Sequence, residues 1–155
     1  MGGGEDVSRE TMQVAYRLGK LIAGEGWVLL CGGRAAGVME ASAQGAKDAG
    51  GLTVGILADR HKGSASKYID IAIATGMGDG RNYINVLSSD IVVALPGRAG
   101  TISEIALALK SGKKVILLEF DTGDVFDCYR QDGLLVTAGT PEQVIRMIKE
   151  YCNIG

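Results

Sequence analysis

The sequence predicts a three-layer, doubly wound α/β domain of the Rossmann-like kind, with helices on both faces of a mostly parallel sheet. Three observations support this fold class. Short apolar runs are typical of strands buried on both faces, stretches with helical spacing alternate with them, and glycines cluster where a strand gives way to a helix. The chain has 155 residues and contains no repeat or linker, so we expect a single domain over residues 1–155.

The strand candidates are short runs, most of them rich in Val and Ile. They are Trp27–Cys31, Thr53–Leu57, Ile69–Ala74, Asp90–Leu95, Lys114–Glu119 and a weaker Leu134–Val136. The helix candidates place apolar residues at intervals of three and four, which gives each helix an inward face. They are Ser8–Ala23, Gly37–Ala49, Arg81–Ser88, Thr101–Ser111 and Pro141–Tyr151. Strands that alternate with helices in this way predict a parallel sheet.

The last helix has the clearest start signal. Thr140 is a suitable N-cap, Pro141 fits the first helical position, and Gln143 stands where a capping box would close. Two polar stretches, Asp59–Lys67 and Asp121–Gly133, are expected to be mobile loops between elements.

The start of the chain does not fit the pattern easily. Gly2–Gly4 is typical of the loop between the first strand and the first helix of a doubly wound sheet, in which the first strand is central. Almost nothing precedes this loop to form that strand. We therefore expect either that the first strand is absent or truncated before Gly2, or that another segment occupies its place.

The charge balance excludes polyanionic partners. Sixteen basic and eighteen acidic residues are dispersed along the chain, giving a net charge of −2 and no basic stripe. A surface of this kind is not suited to a nucleic-acid polymer or an anionic membrane. We expect neither as a partner.

Cysteine and histidine usage indicates a reducing compartment and no protein-bound metal. Cys31, Cys128 and Cys152 are widely separated and form no pair typical of a disulfide framework or a zinc site. His61, between two basic residues, is expected to be a solvated loop residue because no further ligands stand at a recognisable spacing. The first ten residues carry no apolar stretch of an export signal, so we expect a cytoplasmic protein.

The 24 glycines are too many for turns alone, and three groups lie where a strand is expected to end and a helix to begin. These groups are Gly2–Gly4, Gly32–Gly37 and Pro96–Thr101. At such a junction the first backbone N–H groups of the helix are unpaired and its dipole is positive, while glycine lets the main chain approach a phosphate closely. The sequence therefore predicts a binding site for a small phosphorylated ligand.

Glu104 has two interpretations. Thr101 and Glu104 satisfy the T-x-x-E pattern of a capping box, which needs no ligand, and spacing alone favours that structural role. The alternative is a carboxylate placed beside an anion-binding loop. Arg81 and Arg98 likewise have a plain interpretation as exposed residues near loops.

These residues together resemble a known family. The run Pro96-Gly97-Arg98-Ala99-Gly100-Thr101-Ile102-Ser103-Glu104 is similar to the signature P-G-G-x-G-T-x-x-E of the Lonely Guy phosphoribohydrolases, the lysine decarboxylase-like proteins and the molybdenum cofactor carrier proteins. Only its third position differs, where Arg98 replaces Gly. Arg81 lies fifteen positions before the motif proline, as the family's arginine does. The resemblance runs from about Gly3 to Lys114.

Within that family, the chain looks most similar to the carrier branch. Gly32–Glu40 matches the carrier pattern G-G-x-x-x-G-V-M-E, and Gly26–Leu30, Thr75–Gly78 and Arg81–Asn85 are also carrier-like. The hydrolase branch typically has Met-His-x-Arg-Lys around its arginine, whereas this chain has Asp79-Gly80-Arg81-Asn82. The missing histidine and lysine favour binding over catalysis.

The resemblance implies three alternative functions. The first is a carrier or storage protein for molybdenum cofactor (molybdopterin) or a related phosphorylated pterin. The second is hydrolysis of the N-glycosidic bond of a nucleoside 5′-monophosphate, with Glu104 and Arg81 as the catalytic residues. The third is a nucleotide-sensing module without turnover. The residues expected to hold the ligand are Gly3, Gly4, Gly32, Gly33, Arg34, Gly37, Met39, Pro96, Gly97, Arg98, Ala99, Gly100 and Thr101.

The resemblance also implies self-association as a homodimer or homotetramer. The helix segment Val38–Ala46 carries the small residues Ala41, Ala43, Gly45 and Ala46. We expect this segment to expose an apolar face that allows close packing against a second copy of the chain.

Overall fold

A computed structural model describes residues 1–4 and 7–152. In chain order the elements are α1 (Arg9–Gly24), β1 (Leu29–Cys31), α2 (Gly37–Asp48), β2 (Thr53–Leu57), β3 (Ile71–Ala74), a short 3-10 helix (Gly78–Gly80), α3 (Arg81–Ser88), β4 (Ile91–Ala94), α4 (Ala99–Lys110), β5 (Lys114–Leu118), α5 (Asp127–Gln131), β6 (Leu135–Ala138) and α6 (Pro141–Cys152). Each predicted strand and helix is present, and most bounds lie within two residues of the prediction.

All strand pairings are parallel, as predicted. The strands form two sheets of three, in the orders β1-β2-β3 and β4-β5-β6. In the first sheet Leu30 pairs with Val54, and in the second Val93 pairs with Ile116. Helices follow β1, β4 and β6 and cover both faces, so the doubly wound α/β class is confirmed.

Residues 1–3 connect the two halves of the fold. The backbone nitrogen of Met1 donates to Val93 O at 2.6 Å, and Leu95 N donates to Met1 O at 2.9 Å. On its other side, Gly3 O accepts a hydrogen bond of 3.0 Å from Val38 N at the start of α2. This segment therefore lies alongside β4. It occupies the place that the missing first strand was expected to fill. Whether a longer first strand belongs there stays a prediction.

Two buried clusters lie on opposite faces of the strands. One packs α1, α2 and α6 against the strands and contains Leu18, Ile116 and Leu118. The other packs α3 and α4 and contains Val115 and Leu117. Successive β5 residues thus face opposite layers, because side chains alternate along a strand. This explains why β5 is apolar at every position from Val115 to Leu118.

The prediction that α2 exposes an apolar face is wrong. Val38, Ala43, Gly45 and Ala46 are buried inside the chain. The reason is a close crossing with α1, in which a Cβ added at Gly19 would overlap Ser42 O and a Cβ added at Gly45 would overlap Tyr16 O. Ala43, Gly45 and Ala46 therefore allow close contact between two helices of one chain.

The prediction of a loop over Asp121–Gly133 is wrong in part, since this stretch contains α5 and the buried Phe126. The predicted cap of α6 is present, as Gln143 N donates to Thr140 Oγ1 at 3.2 Å. The side chain of Gln143 reaches one residue further back than a standard capping box and accepts from Gly139 N at 2.7 Å. No helix within the described ranges is both long and apolar enough to span a membrane.

Candidate functional site

A cleft of about 420 Å³ lies at the carboxyl ends of β1 and β4. Parts of all three glycine-rich junctions contribute to its walls, as parallel strands bring their carboxyl ends to one edge. The lining residues that the sequence predicted are Gly3, Gly4, Gly32, Arg34, Met39, Arg98, Gly100 and Thr101, together with Arg81 and Glu104. Residues far apart in the chain therefore meet in one place.

Five predicted ligand-binding residues, Gly33, Gly37, Pro96, Gly97 and Ala99, lie outside this lining. The three glycines among these five residues are required by packing. A Cβ at Gly33 would come within 2.8 Å of Gly55 Cα, one at Gly37 would overlap the carbonyl oxygens of Gly3 and Gly4, and one at Gly97 would overlap the Thr101 side chain. Gly33 and Gly37 also have positive φ angles of 74° and 49°, which other residues rarely adopt. These glycines bring the loops close together instead of facing the cleft.

Two further lining residues, Gly2 and Ala36, lie within predicted glycine-rich junctions but were not among the predicted ligand-binding residues. The sequence interpretation missed the other six: Met1, Leu30, Cys31, Asp79, Asn82 and Asn85. A signal for one of them was available. Asn85 stands four positions after Arg81 on α3, so both side chains project from the same side of that helix. For Leu30 and Cys31, which end a buried strand, no local signal separates a cleft position from a core position.

The start of α4 decides the role of Glu104. This helix begins at Ala99, two residues before the predicted Thr101, with Arg98 at the N-cap position in extended conformation. Thr101 is therefore the third helical residue and Glu104 the sixth. A capping box joins the N-cap to the third residue, so Glu104 lies too far along the helix to form one. The capping interpretation of Glu104 is wrong.

Glu104 instead lies on the floor of the cleft beside Asn85. Only 8% of Glu104 and 3% of Asn85 is exposed. Asn85 Nδ2 donates to Glu104 Oε1 at 3.4 Å. The carboxylate can only accept, so it fixes which end of the carboxamide faces it. Asn85 Oδ1 is then enclosed without a hydrogen-bond partner among the described residues.

Arg81 is held at the first turn of α3, directly after the 3-10 helix. Its Nη1 donates to Ile56 O at 2.9 Å, near the end of β2. The guanidinium passes close to Gly32 and to Met39 Sδ, because a Cβ built at Gly32 would meet both. Arg81 therefore crosses the ends of two neighbouring strands.

The loop 59–67 is attached to the Gly32–Gly37 junction. Ser66 N donates to Gly33 O at 2.8 Å, and Ala35 N donates to Ser64 O at 3.3 Å. Within the loop, Ser64 Oγ donates to Asp59 Oδ2 at 2.5 Å. That bond, followed by the positive charges of Arg34, His61 and Arg81, lowers the pKa of Asp59. The carboxylate thus stays charged beside the arginine-rich side of the cleft.

Cys31 is a buried thiol at the cleft floor. Burial raises the pKa of Cys31. The hydrogen bond that Gly33 N donates to Cys31 Sγ at 3.3 Å acts in the opposite direction and lowers that pKa, but by less. Cys128 and Cys152 are exposed, and His61 is an exposed loop residue, as predicted. Within residues 1–4 and 7–152, no group of three or more His, Cys, Asp or Glu side chains could hold a metal ion.

The electrostatics of the cleft favour a negatively charged ligand. Arg34, Arg81 and Arg98 line it from three separate segments, against the two carboxylates of Asp79 and Glu104. The first amides of α4 have no partner inside the helix, since its first such bond runs from Ile102 N to Arg98 O. This arrangement places fixed positive charge and helical N–H groups around one space.

A doubly wound sheet with a cleft at the carboxyl ends of its strands defines the class of Rossmann-like α/β proteins that use this edge for ligands. Residues 1–145 match the SLOG cluster4 family, and the chain belongs to that family. The resemblance drawn from the sequence motifs is thereby confirmed.

Two solved structures extend the family assignment. The molybdenum cofactor binding protein of Rippkaea orientalis is 49% identical, with a TM-score of 0.92 over 98% of this chain and 94% of that one. The molybdenum cofactor carrier protein of Chlamydomonas reinhardtii is 40% identical, with a TM-score of 0.88 over 97% and 93%. Both likenesses span nearly the whole of each chain.

A third relative has an enzymatic name. The cytokinin riboside 5′-monophosphate phosphoribohydrolase of Mycobacterium tuberculosis is 34% identical over 105 residues. The match covers 66% of this chain and 56% of the hydrolase. The carrier-like proteins are therefore similar over more of the chain and at higher identity.

Proposed function

We propose that this chain binds molybdenum cofactor, or a closely related phosphorylated pterin, as a carrier or storage protein. The observation that carries the proposal is the convergence of Arg34, Arg81 and Arg98 on one cleft of about 420 Å³. Clefts of roughly 300–1,000 Å³ accommodate small organic ligands. Similarity to the cofactor-binding proteins of Rippkaea and Chlamydomonas supports the same ligand.

The start of α4 is the proposed phosphate position. Gly100 and Thr101 belong to the first turn, where backbone N–H groups and the helix dipole attract an anion. Arg98, directly before the helix, adds a fixed positive charge. Gly32 and Arg34 line the cleft from the β1 side. The ligand is thus held by positioned charge and main-chain groups, without a metal ligand from the protein.

Cofactor binding is tested directly. Molybdenum cofactor released anaerobically from a molybdoenzyme is mixed with the purified protein, and the pterin that elutes with the protein is measured by fluorescence after oxidation. We expect saturable binding and slower oxidation of the bound cofactor. The Arg98→Ala variant should bind about 10- to 100-fold more weakly, as expected for loss of a charged hydrogen-bond donor.

The matched control for Arg98→Ala is Lys110→Ala, which removes an exposed positive charge from the opposite end of α4. It should bind as the wild type does. Absence of saturable binding by the wild-type protein would exclude the carrier function.

The second candidate is hydrolysis of a nucleoside 5′-monophosphate to a free base and ribose 5-phosphate. It is favoured by the presence of Arg81 and Glu104 in the same cleft and by the hydrolase relative. The Glu104 carboxylate would stabilise the positive charge that develops on the sugar as the C–N bond breaks, and Arg81 would steady the phosphate or the departing base.

A panel of nucleoside 5′-monophosphates separates these functions. Free base is followed by chromatography for the wild type and for Glu104→Gln, which keeps the shape of the side chain and removes its charge. Base release that is lost in the variant would establish the hydrolase. Nucleotide binding without base release would instead indicate the nucleotide-sensing alternative.

The remaining proposals concern the whole molecule. We propose that residues 1–155 form one domain, since the buried cluster under α1, α2 and α6 includes residues of both three-stranded sheets. We also propose a homodimer or homotetramer, which mass measurement in solution would contradict if it found only monomer. Free thiols at all three cysteines support a cytoplasmic location.

A further inference from the structure

The backbone conformation at Gly32 does not require a glycine. Positive φ angles occur at Gly33 and Gly37 in the same loop, but not at Gly32. An alanine could therefore adopt the Gly32 conformation without backbone strain.

The space above Gly32 is occupied by Arg81. A Cβ atom added to Gly32 would overlap Arg81 Nη1 and would come within 2.7 Å of both Arg81 Cζ and Met39 Sδ. The neighbouring backbone is not among these nearest atoms. The missing side chain thus leaves room for a guanidinium group and a thioether.

The same guanidinium is fixed from a second direction. Arg81 Nη1 donates to Ile56 O at 2.9 Å, and β2, which contains Ile56, is the direct neighbour of β1. Arg81 can make this bond only while its end group lies across the residue that follows β1. Occupation of that place by a methyl group would move Nη1 away from Ile56.

We propose that Gly32 is a positioning residue for Arg81: its lack of a side chain leaves the space in which the guanidinium lies across the strand ends, where it can face the ligand. Gly32 then acts on binding through Arg81 and not through close approach of its own main chain to a phosphate. The inference rests on the proposed function in one respect, namely that Arg81 contacts an anionic part of the bound molecule.

The neighbouring glycine provides a contrast. A Cβ at Gly33 would meet the backbone of Gly55 at 2.8 Å, and the φ angle of 74° adds strain. Substitution there must disturb the fold. At Gly32 the obstructed atoms are the ends of flexible side chains, which can move, so the fold should tolerate Ala while Arg81 is displaced.

The test is a double-mutant cycle with Gly32→Ala, Arg81→Ala and the double variant, each titrated with molybdenum cofactor. Arg81→Ala should weaken binding about 10- to 100-fold, as expected when a charged hydrogen-bond donor is removed. Gly32→Ala should weaken it by a similar factor, with a melting temperature close to that of the wild type. On the Arg81→Ala background, Gly32→Ala should change affinity less than about twofold, because the guanidinium is already absent and only the flexible end of Met39 remains within 2.7 Å of the new methyl group.

Two results of the cycle would overturn the inference. If Gly32→Ala weakens binding equally with and without Arg81, then Gly32 acts on the ligand directly or through Met39, and not through Arg81. If Gly32→Ala leaves affinity unchanged while Arg81→Ala lowers it, then Gly32 does not position Arg81. Gly33→Ala serves as the control for a folding defect and should lower the melting temperature clearly.

A crystal structure of ligand-free Gly32→Ala separates this inference from the proposed function. Displacement of Arg81 and loss of its bond to Ile56 are expected whatever the ligand is. An unmoved Arg81 would refute the positioning role even if the cofactor binds. Failure of the wild type to bind cofactor, with Arg81 displaced in the variant, would reject the carrier function and leave the steric dependence of Arg81 on Gly32 established.

Discussion

Asn85 Nδ2 donates to Glu104 Oε1 at 3.4 Å, and this pair joins α3 to α4 at the floor of the cleft. Both side chains are almost wholly buried, and Asn85 Oδ1 has no hydrogen-bond partner within the described part of the chain. The pair therefore fixes the orientation of the Asn85 carboxamide between α3 and α4.

Asn85→Asp should destabilise the protein increasingly as the pH rises. The variant places two buried carboxylates in contact, and they repel once both are charged. At low pH, where one stays protonated, the pair can share a hydrogen bond and the penalty disappears. We expect a loss of about 2 kcal/mol above about pH 6 and little below about pH 4, where the carboxyl groups are protonated in the unfolded chain as well, measured by denaturant unfolding.

The control for this prediction is the same substitution in a Glu104→Gln background. Only one carboxylate is then present, so most of the pH dependence should vanish. An equal pH dependence in both backgrounds would show that Asn85 and Glu104 do not interact as the geometry indicates.

Gly19→Ala should cost about 3 kcal/mol of stability. The added methyl group would overlap Ser42 O on α2, a backbone atom that can yield only if the two helices separate. Gly24→Ala in the same helix meets nothing within 4 Å and should be neutral or slightly stabilising. Thermal unfolding of the two variants measures this difference in stability. Similar melting temperatures would contradict the close crossing of α1 and α2.

Cys31 should resist alkylation in the folded protein. Burial raises the pKa of Cys31, of which only 8% is exposed, whereas Cys128 and Cys152 are exposed. Mass spectrometry after brief iodoacetamide treatment at pH 8 should find two modified cysteines, with the third modified only after unfolding. Equally fast labelling of Cys31 would show that the cleft floor is open.

Asp70→Asn should reduce stability at neutral pH by about 1 kcal/mol. Asp70 accepts hydrogen bonds from Lys47 Nζ at 2.6 Å and from Thr53 N and Oγ1 at 3.0 Å, just before β3. The Lys47 bond first, and then the Thr53 backbone bond, lower the pKa of Asp70. Because the folded pKa is depressed, the stabilisation is present above the unfolded value and is lost as the pH falls through the folded one.

The difference between wild type and Asp70→Asn should therefore narrow below about pH 4. The exposed Asp90 stands before β4 as Asp70 stands before β3, and Asp90→Asn is the control that should leave stability nearly unchanged. A constant difference from pH 7 to pH 2 would mean that the charge of Asp70 does not contribute.

The sequence by itself determined the order of elements and the edge of the sheet at which the cleft lies. Val115–Leu118 is apolar at every position, which already indicates a strand covered on both faces. Glycines at the strand-to-helix junctions marked the cleft, because parallel strands carry their carboxyl ends to one edge. These features depend on short-range periodicity and turn chemistry, which a local stretch of residues expresses in full.

Only the tertiary structure decided what the individual site residues do. The T-x-x-E pattern predicted Glu104 as a cap, but α4 begins at Ala99, and Glu104 meets Asn85 instead. Gly32 and Gly33 are adjacent and alike in sequence, yet one makes room for Arg81 and the other for the backbone of β2. Such roles depend on which atoms from distant segments occupy the same space, and no local pattern contains that information.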